Sequence, residues 1–158
     1  MKQDRFLLFI LVFIALLAGT AVGVYFIRQG EQSYLPDTTP ENVARNYVLA
    51  LQNNEYQRAY SYIQGQEDAP AFSEFQETFL EKRYALSETA LQITDVTEQD
   101  GQATLDILII HGGGEPFGSD WKERGAALLI KEGNAWKIAQ FPPPYWGWDW
   151  DIEPRPID

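Results

Sequence analysis

The longest uninterrupted hydrophobic pattern of the chain lies close to its N-terminus. The 22 consecutive residues from Phe6 to Ile27 carry no charge and are rich in Leu, Ile, Val and Phe. At about 1.5 Å per residue, a helix of this length crosses a hydrocarbon core of about 30 Å. A surface helix of a soluble domain would show a polar stripe, which this stretch lacks. The pattern therefore predicts a transmembrane helix within residues 1–28.

This segment is either a cleaved signal peptide or a permanent anchor. Small residues at 18–21 offer a cleavage site, but the apolar run exceeds the roughly 7 to 15 residues of a signal peptide, which favours an uncleaved signal anchor. Lys2 and Arg5 precede the run and Arg28 follows it, a bias that favours a cytoplasmic N-terminus. We expect a single-pass cell-membrane protein with a stalk at residues 29–38 and its C-terminal domain outside the cytoplasm.

Two helices are expected after the stalk. Thr39-Pro40-Glu41 is typical of a helix N-terminus, with a capping side chain, a proline at the first position and an acid at the positive end of the dipole. Apolar residues then recur every three or four positions from Val43 to Leu51. The same spacing resumes from Tyr56 to Ile63, after the interruption at Asn53-Asn54.

A third helix is expected from the spacing of Ser73 and Gln76, which is that of a capping box. Four apolar residues would form its buried side: Phe72, Phe75, Phe79 and Leu80.

The second half of the sequence alternates with a period of two residues, which is typical of strands. Two hairpins are expected, the first turning at Asp100-Gly101 and the second at Gly133-Asn134. The alternating runs begin at Leu91, Ala103, Gly125 and Ala135. Helices followed by antiparallel strands predict an α+β domain with the sheet laid over the helices.

The stretch from Thr39 to Tyr60 resembles the opening of nuclear transport factor 2-like domains. In that superfamily a first helix leads through a short polar break, here Asn53-Asn54, into a helix with the step seen at Tyr56, Ala59 and Tyr60. The closing hairpin Lys131–Ile138 is similar to their terminal strand pair, in which a Trp enters the core.

This resemblance covers residues 39–141 and implies a cone-shaped domain of three helices on a curved sheet of about four strands. Residues 142–158 would then form a tail rich in Pro, Trp and acids. Proteins that the chain resembles include isomerases, dehydratases, binding modules and membrane-tethered domains of unknown role. Dimerisation through the open sheet face is common among them, so a homodimer is one expected partner arrangement. The fold by itself does not imply an activity.

Charge and composition exclude several classes of site. The 12 basic and 23 acidic residues give a formal charge of −11, which argues against binding to nucleic acid. Without cysteine the chain has no disulfide, thiol nucleophile or thiolate metal site. Asp149, Asp151 and Glu153 alternate in the tail but lack the glycine and glutamate of an EF-hand. We expect neither a metal site nor a cofactor.

Asp106 is the only candidate catalytic residue. It lies within an apolar strand, where a buried carboxylate could act as a general base on a small substrate. The alternative is a solvated residue, since strict alternation places it opposite Leu105 and Ile107. A dyad with His111 fails because five residues along a strand put the two side chains on opposite faces.

The tail contains four large aromatic residues that are candidate contacts for a partner: Tyr145, Trp146, Trp148 and Trp150. Exposed rings of this kind stack well on sugars and on protein partners. The alternative is that the tail folds back and its rings cap the cone or cover a sheet edge.

Together these patterns favour a membrane-anchored, non-catalytic binding or scaffolding module whose partner is an envelope protein or a small ligand. Two alternatives stay open: an isomerase-like or dehydratase-like enzyme that uses the cone pocket, and a carbohydrate-binding module that uses the tail.

Overall fold

The computed structural model describes residues 9–20, 33–63, 65, 69–112, 121–147 and 150, apart from the side chains of residues 83–85. The chain divides into two compact units, residues 1–33 and 34–158. In the first unit, residues 9–20 form helix α1. Within the described ranges, every helix is too short or too polar to cross a membrane. The remainder of the expected anchor, residues 1–8 and 21–28, lies outside them.

The second unit begins with three helices: α2 (Pro40–Gln52), α3 (Tyr56–Ser61) and α4 (Phe72–Ser87). The predicted start of α2 is confirmed, because the Thr39 hydroxyl accepts a hydrogen bond from the Asn42 N–H at 3.4 Å. The polar break at residues 53–54 is also present and separates α2 from α3.

The predicted start and buried side of α4 need correction. Its N-cap is Ala71 and no side chain caps it, so the capping box expected at Ser73 and Gln76 does not form. Phe75 and Phe79 are buried as expected, whereas Leu80 is 50% exposed. Leu86, about two turns beyond Phe79, completes the buried stripe instead.

Four antiparallel strands follow in the order of the sequence: β1 (Thr89–Gln99), β2 (Gln102–His111), β3 (Trp121–Glu132) and β4 (Ala135–Gln140). The hairpin between β1 and β2 turns at Asp100 and Gly101, which both have positive φ. In the hairpin between β3 and β4, Gly133 has positive φ. The α+β prediction with a four-stranded antiparallel sheet is confirmed.

The two faces of the sheet differ in burial. The inner face packs against the helices, and its buried residues on the central strands are Ala103, Leu105, Ile107, Ile109, Ala127 and Leu129. The outer face carries the intervening positions: Thr104, Asp106, Leu108, Ile110, Lys122, Arg124, Ala126 and Leu128. None of these outer-face residues belongs to the buried core cluster.

Part of the expected stalk belongs to the folded domain. Asn46 of α2, which is only 1% exposed, accepts a hydrogen bond from the Leu35 N–H at 2.9 Å and donates one to the Leu35 carbonyl at 2.7 Å. It also donates to the Asp37 carboxylate at 2.6 Å. The guanidinium of Arg58 lies 3.2 Å above the Tyr34 ring. The segment from Tyr34 to Asp37 is therefore held against the helices.

Candidate functional site

The interior between the helices and the inner face of the sheet is filled by aromatic side chains. Phe75 and Phe79 of α4 lie 4.8 Å apart between ring centroids. Trp150 stacks on Phe75 at 5.5 Å and meets Phe79 edge-on at 5.8 Å. Tyr47 of α2 packs against Phe141 at 5.3 Å and against Trp146 at 6.5 Å. Aromatic rings thus fill the described part of this interior.

The tail enters this interior and is bonded to it. The Tyr47 hydroxyl donates to the Tyr145 carbonyl at 2.7 Å, and the Tyr145 hydroxyl shares a hydrogen bond with Thr89 at 2.7 Å. The indole N–H of Trp146 donates to the Trp150 carbonyl at 2.9 Å. Lys82 of α4 donates to the Trp146 carbonyl at 3.0 Å. These bonds fasten the described part of the tail to α2, α4 and the start of β1.

This geometry corrects the picture of an exposed aromatic tail. Tyr145, Trp146 and Trp150 are all buried, so the folding-back alternative describes these three rings. Trp148 lies outside the described residues, as do the alternating acids of the tail. Ligand binding by the tail stays a prediction, but the three buried rings present no free stacking face.

The two tyrosines of this network are held in their neutral form. Burial raises the pKa of Tyr47 well above its usual value. Burial also raises the pKa of Tyr145, although its hydrogen bonds to Thr89 and Gln52 act in the opposite direction. Both hydroxyls consequently serve as structural hydrogen-bonding groups at neutral pH.

Asp106 lies on the outer face, exposed, with buried Leu105 and Ile107 beside it on the inner face. The solvated alternative is thus the one that the structure adopts, and Asp106 does not point into the interior. His111 lies on the opposite face, as expected from the spacing, so the two form no dyad.

His111 instead belongs to a small cluster at the end of the sheet. Its imidazole stacks on Trp121 with ring centroids 3.8 Å apart and planes within 1°. Its Nε2 lies 3.4 Å from Oε2 of Glu123. Trp121 itself is 57% exposed. The sequence interpretation missed this cluster because it began β3 at Gly125, although Trp121 and Glu123 continue the same alternation toward the N-terminus.

The outer face carries separated charges. Asp95 of β1 and Asp106 of β2 lie directly opposite each other as paired residues, and both are exposed. Lys122 and Arg124 lie on β3, opposite Ile110 and Leu108. Among the residues that the structure describes, none of these four charged side chains has an ion-pair or hydrogen-bond partner. The face is acidic toward β1 and basic on β3.

The described ranges contain no group of three or more His, Cys, Asp or Glu side chains that could hold a metal ion. Residues 113–120, between β2 and β3, lie outside these ranges.

Comparisons with known proteins bear on the fold alone. No protein-family model matches the sequence, and no curated protein gives a significant match. Among solved structures, a Thiobacillus denitrificans domain described as a calcium/calmodulin-dependent protein kinase type II association domain is similar, with a TM-score of 0.52 and 8% identity. That match covers 68% of this chain and 93% of the other.

Two further solved structures are similar at lower scores. A Campylobacter jejuni protein described as a nuclear transport factor 2-like transpeptidase has a TM-score of 0.48 and 19% identity, over 63% of this chain and 96% of that one. A Catenulispora acidiphila protein with a ketosteroid isomerase-like fold, solved with trimethylamine, has a TM-score of 0.45 and 15% identity, over 64% and 82%. The chain thus shares an α+β fold with the Thiobacillus denitrificans domain.

Proposed function

We propose that residues 34–150 form a non-catalytic protein-binding module whose binding surface is the outer face of the sheet. The observation that carries this proposal is the filled interior: Tyr145, Trp146 and Trp150 are buried in the core cluster between the helices and the sheet. Asp106, the one candidate general base, faces solvent on the other side of the sheet. An enzyme with its active site in the interior would need an open pocket there and a general base that points into it.

The outer face has the composition of a binding surface. Leu108, Ile110 and Leu128 are half-buried there, and they are flanked by charged side chains without partners in the described part of the chain. Interfaces combine an apolar centre with polar and charged groups toward the rim in this way. No part of the buried core covers these residues.

The proposal includes a membrane anchor at the N-terminus. All the described residues of α1 are exposed, and eight of them are large and apolar: Phe9, Ile10, Leu11, Val12, Phe13, Ile14, Leu16 and Leu17. Burial of such side chains in lipid is favourable by about 1.5–3 kcal/mol each, and their exposure to water is correspondingly costly. This supports a membrane anchor, and the proposed orientation, with residues 34–158 outside the cytoplasm, rests on Lys2 and Arg5 before the apolar run.

Topology can be tested cleanly because the chain contains no cysteine. We expect a membrane-impermeant maleimide to label Gln57→Cys on intact cells, and to label Gln3→Cys only after the membrane is permeabilised. Carbonate washing should leave the chain in the membrane. Release by carbonate, or labelling of Gln3→Cys on intact cells, contradicts the anchor and its orientation.

The binding surface can be tested with a second introduced cysteine. A maleimide–benzophenone probe attached to Ala126→Cys, on the outer face, should cross-link under ultraviolet light into an adduct of defined mass, whereas the same probe on Gln57→Cys of α3, also exposed, should give none. Adding Leu108→Glu to Ala126→Cys should abolish the adduct. Equal adducts from both positions, or none from Ala126→Cys, contradict the assignment of this face.

A further inference from the structure

We propose that the open face of Trp121 and the carboxylate of Glu123 form a binding site for a guanidinium group, carried by an arginine side chain of a partner protein. The site lies at the His111 end of β2, on the opposite face of the sheet from Asp106. It is separate from the outer face proposed above as a binding surface, and it does not depend on that surface.

Local structure brings the two side chains together. Trp121 and Glu123 are two residues apart on β3, so both project from the same face of the sheet. Trp121 is the paired residue of His111 on β2. The imidazole of His111 lies 3.8 Å from the indole between ring centroids, and its Nε2 lies 3.4 Å from the Glu123 carboxylate. An indole face and a carboxylate therefore border one site.

The Trp121 ring is held in place but remains accessible. The His111 imidazole stacks on one face of the indole, with the two planes within 1° of parallel. His111 itself is fixed at the end of its strand, because the next amide, that of Gly112, donates to the Glu88 carbonyl at 2.8 Å. Since Trp121 is nevertheless 57% exposed, the second face of its indole is open to solvent.

The Glu123 carboxylate has no permanent cation beside it. In the described part of the chain, the His111 imidazole is the one basic group within ion-pair distance, and its enclosed Nε2 makes no hydrogen bond. Lys122 and Arg124, the neighbours of Glu123 along β3, project from the other face of the sheet. The Glu123 side chain is 44% exposed, so its oxygens can accept hydrogen bonds from a partner.

The same domain shows what completes such an arrangement. The Arg58 guanidinium lies 3.2 Å from the centroid of the Tyr34 ring, and its Nη1 lies 3.8 Å from a carboxylate oxygen of Glu55. There an aromatic face and a carboxylate contact one guanidinium. At Trp121 and Glu123 the ring and the carboxylate are both present, and no Lys or Arg among the described residues lies over the ring.

The chemistry of the two groups selects an arginine side chain as the occupant. Indole attracts cations more strongly than the other aromatic side chains do. A guanidinium is flat enough to stack on the indole while two of its N–H groups reach a carboxylate, whereas an ammonium is compact and strongly hydrated. The formal charge of −11 also attracts a basic partner toward this chain.

The test uses the full chain in a non-ionic detergent, with its five tryptophans replaced by 5-fluorotryptophan. The ¹⁹F signal that is lost in Trp121→Phe identifies the Trp121 signal. We expect acetyl-Gly-Arg-Gly-amide to shift this signal in a saturable way. The same peptide with citrulline, which has the shape of arginine without its charge, should bind at least about tenfold more weakly. The other tryptophan signals should keep their positions and so report an intact fold.

Two acid-to-amide changes on β3 distinguish a site from general charge attraction. Glu123→Gln should weaken binding of the arginine peptide about tenfold, because the carboxylate that accepts from the guanidinium is lost. Glu132→Gln removes the same charge from an exposed position of the same strand and should change binding by less than about twofold. Equal losses from the two variants, or equal binding of the arginine and citrulline peptides, overturns the proposal.

His111 is a positioning residue at this site. His111→Phe keeps a flat ring behind Trp121 and should bind the peptide within about threefold of the unchanged chain, whereas His111→Ala releases the indole and should weaken binding about fivefold. Equal effects of these two variants overturn the positioning role. A Trp121 signal that does not respond to the arginine peptide, or that responds instead to methyl β-glucoside, overturns the site. The outer face is unaffected by that outcome, because Ala126→Cys tests it separately.

Discussion

The hydroxyl of Tyr47 donates a hydrogen bond to the backbone carbonyl of Tyr145, at 2.7 Å and across 98 positions of the sequence. Both residues are fully buried. The bond joins the middle of α2 to a segment without regular secondary structure. It therefore fixes where the tail enters the core. Its contribution to the free energy of unfolding can be measured by removing the Tyr47 hydroxyl.

Tyr47→Phe should lower the free energy of unfolding by about 1–2 kcal/mol, because the Tyr145 carbonyl is left in the interior without its donor. Urea unfolding of the full chain in detergent measures the loss. Tyr56→Phe is the matched control, since it removes the hydrogen bond to the exposed side chain of Asn54. We expect the control to cost less, and an equal loss would contradict a special role for the Tyr47 bond.

Stability should fall as the pH rises above about 10. Burial raises the pKa of Tyr47 and Tyr145 in the folded chain, whereas both titrate near 10 when the chain is unfolded. Above that pH the unfolded state has released protons that the folded state retains, so alkali favours unfolding. Below it the contribution is fully present.

The pH dependence can be assigned with Tyr145→Phe. Its unfolding midpoint in urea should lie below that of the unchanged chain at about pH 8, because the bond to Thr89 is lost. The decline between about pH 9 and about pH 11 should nevertheless be shallower. An unchanged slope would show that Tyr145 does not contribute to the decline.

Gly147→Ala should displace the Trp150 ring. A Cβ atom at position 147 would lie 2.4 Å from Cε2 of Trp150, and the ring is enclosed by Phe75, Phe79 and Trp146. Overpacking of this kind costs about 1–3 kcal/mol. Near-ultraviolet circular dichroism should change together with the unfolding free energy. Gly65→Ala, with nothing within 4 Å of the added atom, should leave the spectrum unaltered.

Asp95→Asn should stabilise the domain by roughly 0.2–1 kcal/mol, because it removes one of two like charges that face each other across β1 and β2. The gain should shrink in about 1 M salt, where exposed charges are screened. Glu98→Gln serves as the control, since Glu98 lies opposite uncharged Ala103. A gain from Asp95→Asn that is independent of salt would point to a cause other than charge.

Asn46→Ala should detach the segment around Leu35. Three hydrogen bonds at 2.6–2.9 Å are lost, two of them to the Leu35 backbone. We expect a loss of about 2–4 kcal/mol and faster hydrogen exchange of the Leu35 amide. Asn42→Ala removes a single bond, to the Pro36 carbonyl, and should cost about 1 kcal/mol. Unchanged exchange at Leu35 would contradict the clamp.

Local patterns in the sequence predicted the regular elements well. Thr39 caps α2 as expected, and the turn at Asp100 and Gly101 has the positive φ values that its residues suggest. The alternation around Asp106 also placed its side chain correctly on the solvated face. These features depend on neighbours within a few residues, which the sequence shows directly.

Features that depend on distant contacts were not predictable in the same way. The segment after Tyr34 has no apolar periodicity, and its attachment depends on Asn46, eleven residues from Leu35. The pairing of Asp95 with Asp106 depends on a register shift in β1 after Ile93. A strict alternation cannot show such a shift, because an extra residue exchanges the faces that follow it.

The burial of Trp150 ten positions after β4 also determines what a fragment of this protein can do. A polypeptide cut at Gln140 keeps every helix and strand that the structure describes in the domain and loses Phe141, Tyr145, Trp146 and Trp150 from its centre. Such a fragment should retain its far-ultraviolet signal while binding hydrophobic dyes and exposing apolar surface, as loosely packed states do. Boundaries drawn from regular secondary structure alone would therefore yield an incomplete molecule.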